Sequence, residues 1–125
     1  MKIGLTSYSL HSDIKHGRKT ILDAMRFASE NGAEHMEIVP LCFSLYDDAT
    51  GTFNDALIEE IRALSAELAL PLSNYAISAN LMSEDKDTRR AEVERVKRNV
   101  DVACRLGIPT MRHDLASSGS PSGEN

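Results

Sequence analysis

The stretch Gly-Ala-Glu-His-Met-Glu-Ile-Val-Pro at residues 32–40 leads from the end of a predicted helix into a predicted strand, and it is the strongest indication of the chain's architecture. Gly32 follows the helix at a position where a left-handed residue is easily accommodated. Side chains alternate between the two faces of a strand, so Met36 and Ile38 are predicted on one face and Glu37 on the other. Because a carboxylate is costly to bury without a partner, we expect Glu37 at the mouth of a barrel.

Similar helix-to-strand boundaries recur further along the chain, with Ala-Leu-Pro at residues 69–71 and Leu-Gly-Ile-Pro at residues 106–109. Their spacing of roughly forty residues is typical of repeated strand–helix units. The pattern predicts four strands separated by three helices. The predicted strands are Lys2–Leu10, His35–Pro40, Leu72–Ser78 and Thr110–Leu115, and the predicted helices are Thr20–Asn31, Asn54–Ala69 and Thr88–Leu106.

This alternation predicts an α/β fold with parallel strands, because a strand–helix–strand unit of this length forms a right-handed crossover. Four such units are the first half of a TIM barrel, which needs roughly 250 residues when closed, whereas the chain has 125. We therefore expect a partial TIM barrel domain at residues 1–118 and a polar tail or truncated loop at residues 119–125. The open edges of the first and last strands predict self-association.

A doubly wound sheet is the competing architecture. It usually has a glycine-rich first turn, whereas residues 7–19 contain Gly17 as their one glycine and no phosphate-binding motif. A flavodoxin-like domain would be complete at about this length, but it needs a fifth strand and a final helix after Leu115. Neither is visible in the sequence.

Two helices carry more detailed signals. Thr20 followed by Asp23 resembles a capping box at the start of the first helix. In the third helix, apolar residues at helical spacing predict one buried stripe. The stripe would consist of Val93, Val96, Val100 and Ala103.

The composition, with 42% hydrophobic and 26% charged residues, is that of an ordinary globular protein. The net charge of −5 argues against nucleic acid and anionic membranes as partners, because both attract basic patches. The sequence has no apolar run of the ~20 residues that span a membrane and no signal-peptide pattern. Cys42 and Cys104 lack metal-ligand spacing. These features predict a cytoplasmic protein with reduced thiols.

Polar side chains collect near the C-terminal ends of all four predicted strands, the edge at which parallel strand–helix folds bind ligands. The candidates are Tyr8, Glu37, Asn74, Arg112, His113 and Asp114. We interpret Glu37 and His113 as candidate catalytic residues, and the other four as candidate substrate-binding residues.

The chemistry of these side chains supports that interpretation. An arginine such as Arg112 can fork onto a carboxylate or phosphate, and a neutral histidine such as His113 can bind a metal or shuttle protons. Asp114 could orient that histidine or hold a substrate hydroxyl. Glu37 could act as a base or accept a hydrogen bond from substrate. The alternatives are a structural Glu37 paired with Arg112 and a solvated strand end.

Four stretches of the chain follow one another in the order of four successive strands. They are Lys-Ile-Gly-Leu-Thr-Ser-Tyr-Ser-Leu at residues 2–10, Gly-Ala-Glu-His-Met-Glu-Ile-Val-Pro at 32–40, Leu-Ser-Asn-Tyr-Ala-Ile at 72–77 and Arg-Leu-Gly-Ile-Pro-Thr-Met-Arg-His-Asp at 105–114. Together they resemble the sugar phosphate isomerase/epimerase family, which is the xylose isomerase-like TIM barrel superfamily.

The resemblance implies a small sugar or polyol substrate and a metal-dependent isomerisation or epimerisation by proton transfer next to a carbonyl. It implies a divalent metal (Mn, Mg, Co or Zn) whose ligands lie mostly on later strands outside this chain, with His113 as a possible ligand. Glu37 and His113 match positions from which family members reach toward substrate or metal. The 125 residues alone are therefore expected to be inactive.

Two other functions stay open at this point. A dehydratase acting on a cyclic polyol would use the same fold and a similar proton abstraction. A non-catalytic α/β module could recognise a sugar without converting it. Metal-dependent turnover by the complete gene product would separate the enzymes from the binding module.

Overall fold

In the computed structural model, which describes residues 2–114, four parallel strands form one sheet. Strand β1 (Gly4–Thr6) pairs with β2 (His35–Ile38). Strand β5 (Leu72–Ile77) pairs with β2 on one side and with β6 (Met111–His113) on the other. The predicted α/β fold with four parallel strands in chain order is confirmed. The predicted tail at residues 119–125 and the end of the predicted domain, residues 115–118, lie outside the described residues.

Three helices pack beside one another on one side of this sheet. They are α2 (Ile21–Glu30), α3 (Asp55–Glu67) and α4 (Lys86–Leu106), and α3 contacts both α2 and α4. The capping box predicted for α2 is present: the Thr20 side chain accepts a hydrogen bond from Asp23 N, and the Asp23 carboxylate accepts one from Thr20 N.

The core lies between the sheet and these helices. Met36 and Ile38 are fully buried there, as the alternation in β2 predicts. They pack in one cluster with Met25 from α2, Ile61 from α3 and Val102 from α4. The opposite face of β2 carries Glu37.

The buried stripe predicted for α4 is right in part. Ala103 is buried and Val96 is partly buried against the core, whereas Val93 and Val100 are 41% and 45% exposed. The buried residues of α4 are Asn99, Val102, Ala103 and Leu106. This face contains a polar residue, because Asn99 hydrogen-bonds the buried Tyr75 hydroxyl. A pattern of apolar residues alone therefore predicted a face that is rotated from the buried one.

The first predicted strand, Lys2–Leu10, is too long. After β1 the chain forms a 3₁₀ turn (Ser7–Leu10) and a short helix α1 (His11–Lys15). Thr6 caps this turn by accepting a hydrogen bond from Tyr8 N. The Ser7 hydroxyl donates to the Val39 carbonyl at 3.1 Å and accepts from Val39 N at 2.7 Å, which ties the turn to the end of β2.

A small hairpin that the sequence analysis did not predict lies between β2 and α3. Its antiparallel strands are β3 (Tyr46–Asp47) and β4 (Thr52–Phe53). The Arg105 guanidinium lies 3.9 Å from the centre of the Phe53 ring and 2.6 Å from the Asp55 carboxylate. These contacts fix the hairpin against the helices.

Two edges of the sheet carry no neighbouring strand among residues 2–114, one at β1 and one at β6. Self-association through these edges stays a prediction. In the described part of the chain, no helix combines the length and the apolar character needed to cross a membrane.

Candidate functional site

Polar side chains from neighbouring strands meet on the face of the sheet opposite the helices. In register, Thr6 lies beside Glu37, Glu37 beside Asn74, and Ala76 beside Arg112. Residues paired in register share a face, and residues two apart on a strand do so as well. We call this surface, defined by Thr6, Glu37, Asn74 and Arg112, the polar face.

Glu37 is the centre of the polar face. Thr6 Oγ1 donates to Glu37 Oε1 at 3.0 Å, and Asn74 Nδ2 donates to Glu37 Oε2 at 2.8 Å. The Arg112 guanidinium is 3.9 Å from Oε1, and the side chains of Glu37 and Arg112 are 24% and 67% exposed. An ion pair this long and this exposed contributes little. Glu37 is therefore held mainly by two neutral donors, and Arg112 is available for a ligand.

Asn74 is held in turn by Thr110, which directly precedes β6. Thr110 Oγ1 lies 3.0 Å from Asn74 Oδ1 and 2.7 Å from the Ser73 carbonyl oxygen. The hydrogen-bonded chain Thr6–Glu37–Asn74–Thr110 therefore crosses the whole sheet from β1 to β6.

A β-bulge places Asn74 in this chain. Met36 pairs with Leu72, but Glu37 pairs with Asn74, so Ser73 is an extra residue in β5. Such bulges redirect side chains and are frequent next to functional sites. Simple alternation would place Asn74 on the same face as the buried Leu72, and the bulge turns it toward Glu37 instead.

A cleft of about 360 Å³ lies at the C-terminal ends of the strands. Tyr8 lines it after β1, Ser78 lines it after β5, and Arg112 and Asp114 line it at β6. Its apolar wall comes from the segment after β2 and consists of Val39, Pro40, Leu41, Phe43 and Leu45. Glu37 is not part of the lining, but Arg112, which lines the cleft, lies 3.9 Å from Glu37 Oε1.

The floor of the cleft contains a buried tyrosine. The Tyr75 hydroxyl donates to Asn99 Oδ1 at 2.9 Å, and Asn99 Nδ2 donates to the Arg95 carbonyl at 2.9 Å. Burial raises the pKa of Tyr75 well above its ordinary value of 10.0. The Arg95 guanidinium is engaged by Glu92 and by the Ser78 carbonyl.

The structure brings five of the six predicted site residues into this region. Glu37 and Asn74 are hydrogen-bonded to each other, and Tyr8, Arg112 and Asp114 line the cleft. His113 pairs with Ile77, one position out of phase with Arg112, and therefore lies on the other face of the sheet from Glu37. Its Nδ1 is 3.0 Å from the Asp114 carbonyl oxygen.

Thr6 and Thr110 were not predicted as site residues. Both are neutral side chains at strand ends, and a threonine in that position is unremarkable on its own. Consecutive residues of a strand lie on opposite faces of the sheet. The apolar Leu5 pairs with the buried Met36, so Thr6 lies on the polar face. The role of Thr110 depends on the bulge in β5, which has no sequence signal of its own.

The residues described here do not fit a metal site. Between residues 2 and 114, no group of three or more His, Cys, Asp and Glu side chains could hold a metal ion.

Comparison with known proteins identifies the fold. No protein-family model and no curated protein matches the sequence. The chain is similar in structure to D-psicose 3-epimerase solved in the presence of D-fructose, with a TM-score of 0.73 and 19% identity over 100% of this chain and 41% of that one. It is also similar to the probable 3-DHS dehydratase AsbF of petrobactin synthesis from Bacillus anthracis, with a TM-score of 0.63 and 18% identity over 90% of this chain and 38% of the other.

A third similar structure is a sugar phosphate isomerase/epimerase from Parabacteroides distasonis, with a TM-score of 0.61 and 21% identity over 93% of this chain and 40% of that one. The three proteins share one fold, which is the fold that the sequence resemblance implied. The chain spans about two fifths of the length of these solved structures. The chain therefore has the fold of part of a TIM barrel.

Proposed function

We propose that this chain is part of a sugar isomerase or epimerase that moves a proton next to a carbonyl group. The observation that carries the proposal is the carboxylate of Glu37, held on the polar face beside a cleft at the C-terminal ends of the strands. In TIM barrels this is the end at which catalytic residues act. The similarity in fold to a D-psicose 3-epimerase and to a sugar phosphate isomerase/epimerase supports a sugar as the substrate.

In the proposed reaction, Glu37 acts as the general base. It would accept the proton from the carbon next to the carbonyl of a ketose or aldose. In an isomerisation it would return that proton to the neighbouring carbon, and in an epimerisation a second acid on the opposite face of the sugar would give a proton to the same carbon. Arg112 would donate hydrogen bonds to the oxygen that gains negative charge. Tyr8 and Asp114 both line the cleft. Tyr8 would pack against the C–H face of the sugar, and Asp114 would accept hydrogen bonds from its hydroxyl groups. The proposal assigns no step to His113, which lies on the other face of the sheet.

Dependence on a divalent metal belongs to the proposal only for the complete gene product. Such an ion would polarise the carbonyl and hydroxyl oxygens of the substrate. Because residues 2–114 contain no suitable ligand cluster, its ligands would have to come from elsewhere in that product.

A dehydratase is the second candidate, favoured by the similarity to AsbF over 90% of this chain. It would begin with the same proton abstraction by Glu37. The hydroxyl group on the next carbon would then leave as water with the proton that Glu37 took up, in place of return of the proton to carbon.

The proposed function can be tested by hydrogen exchange into sugars. The complete gene product would be incubated in D₂O with D-psicose, D-fructose and other ketoses, with and without added Mn²⁺, Mg²⁺, Co²⁺ or Zn²⁺, and the products followed by NMR. We expect deuterium at a carbon next to the carbonyl, together with epimer or isomer. For Glu37→Gln we expect the rate of deuterium incorporation to fall by about 100-fold or more.

Glu60→Gln, an exposed position on α3, is the matched control and should behave as the wild type. A dehydrated product would favour the second candidate. Sugar binding without deuterium incorporation would favour the non-catalytic module. Full activity in Glu37→Gln would remove this carboxylate from the mechanism.

A further inference from the structure

We propose that Thr6 and Asn74 are positioning residues that hold the Glu37 carboxylate in one orientation. The catalytic part of this inference rests on the proposed function, whereas the geometric part does not. Each carboxylate oxygen of Glu37 accepts one hydrogen bond, from β1 on one side and from β5 on the other.

The direction of the Thr6 hydrogen bond follows from its second partner. A threonine hydroxyl carries one hydrogen. Tyr8 N donates to Thr6 Oγ1 at 3.3 Å, so the oxygen serves as the acceptor there. The single hydrogen is therefore left for Glu37 Oε1, which lies 3.0 Å away. The cap of the 3₁₀ turn and the support of Glu37 thus depend on one side chain.

The orientation of the Asn74 amide follows from its Glu37 end, where its NH₂ group faces Oε2 at 2.8 Å. Its oxygen lies 3.0 Å from the Thr110 hydroxyl, whose single hydrogen also faces the closer Ser73 carbonyl oxygen at 2.7 Å. A reversed amide would place its oxygen against the carboxylate and its NH₂ group against the hydroxyl. Because a carboxylate can only accept hydrogen bonds, the observed orientation is the favoured one.

Together the two donors act as a clamp. The Glu37 side chain is partly buried, and a donor on each oxygen opposes rotation of its carboxylate. Each oxygen keeps a lone pair for a substrate hydroxyl or proton. Holding a reacting group in a productive geometry is a large part of catalysis, and misplacement of about 1 Å can cost roughly 100-fold in rate.

The first test measures geometry without activity. The complete gene product would be labelled with ¹³C at the glutamate side-chain carboxyl, and the Glu37 resonance assigned by its loss in Glu37→Gln. Thr6→Val keeps the shape of the side chain but removes the hydroxyl, and Asn74→Leu removes the amide without changing the 3₁₀ turn. Both should shift the Glu37 resonance, whereas Thr6→Ser should leave it near the wild-type position. An unchanged resonance in Thr6→Val and Asn74→Leu would overturn the proposal.

The second test measures catalysis. We expect Thr6→Val to lower kcat by about tenfold or more with little change in KM, and Thr6→Ser to restore most of the loss. In a Glu37→Gln background, Thr6→Val should have no further effect, because the two residues act through one group. Equal losses from Thr6→Val with and without Glu37 would overturn the positioning role. If the resonance shifts as expected but the wild type has no turnover, the proposed function fails and the clamp stands.

Discussion

Single residues at the floor of the cleft link the fold to the candidate site. Tyr75 is 1% exposed, and its hydroxyl and the Asn99 amide form a buried polar pair that lines the floor of the cleft. An isolated hydroxyl there would be costly. The pair therefore explains why α4 turns a polar residue toward the sheet. The sequence gives no sign of it, because it joins two elements that are distant along the chain.

Tyr75→Phe should lower the free energy of unfolding by about 1–2 kcal/mol at pH 7, because it leaves Asn99 Oδ1 buried without its donor. Burial raises the pKa of Tyr75 in the folded protein. Its contribution to stability is therefore present below the ordinary value of 10.0 and is lost as the pH rises through the folded pKa. Urea unfolding should be measured from about pH 7 to pH 11. The difference in free energy of unfolding between the wild type and Tyr75→Phe should shrink above about pH 10. A difference in free energy of unfolding that is constant over this range would contradict a raised pKa of the Tyr75 hydroxyl as the cause.

At the scale of whole elements, helix ends could be predicted more accurately than helix faces. The predicted end of α4 at Leu106 is correct, because Gly107 follows it in a left-handed conformation with φ 73°. The predicted start at Thr88 is two residues late, because Asp85 caps the helix by accepting a hydrogen bond from Thr88 N. The buried face of α4 depends instead on where the sheet lies. Three valines suggested one face, and packing around Asn99 selected another.

Two matched substitutions test the corrected face of α4. Val102 is fully buried and Val100 is 45% exposed. Val102→Ala should lower the free energy of unfolding by about 2 kcal/mol, because two methyl groups are lost from the core. Val100→Ala should change it by less than about 0.5 kcal/mol. Both variants make the same change in one helix, so differences in helix propensity cancel. Equal effects in urea unfolding would mean that the orientation of α4 is wrong.

At the scale of the whole molecule, the strand order and the parallel arrangement could be predicted from the alternation of strands and helices. The hairpin at residues 46–53 could not be, because its two-residue strands have no periodicity and are held by Arg105, far along the chain. The site was predicted in part. Glu37, Arg112 and Asn74 were recognised as polar residues near strand ends, but the phase of His113 and the place of Thr110 depend on strand register.

The most direct test of the account is a crystal structure of the complete gene product with a bound ketose such as D-fructose. We predict that the ketose occupies the cleft at the C-terminal ends of the strands. One of its oxygen or carbon atoms should lie within about 3–3.5 Å of the Glu37 carboxylate, with Arg112 and Tyr8 in contact with the sugar. A ketose bound at another edge of the sheet, or a Glu37 carboxylate sealed from the ligand by other parts of the protein, would contradict the account.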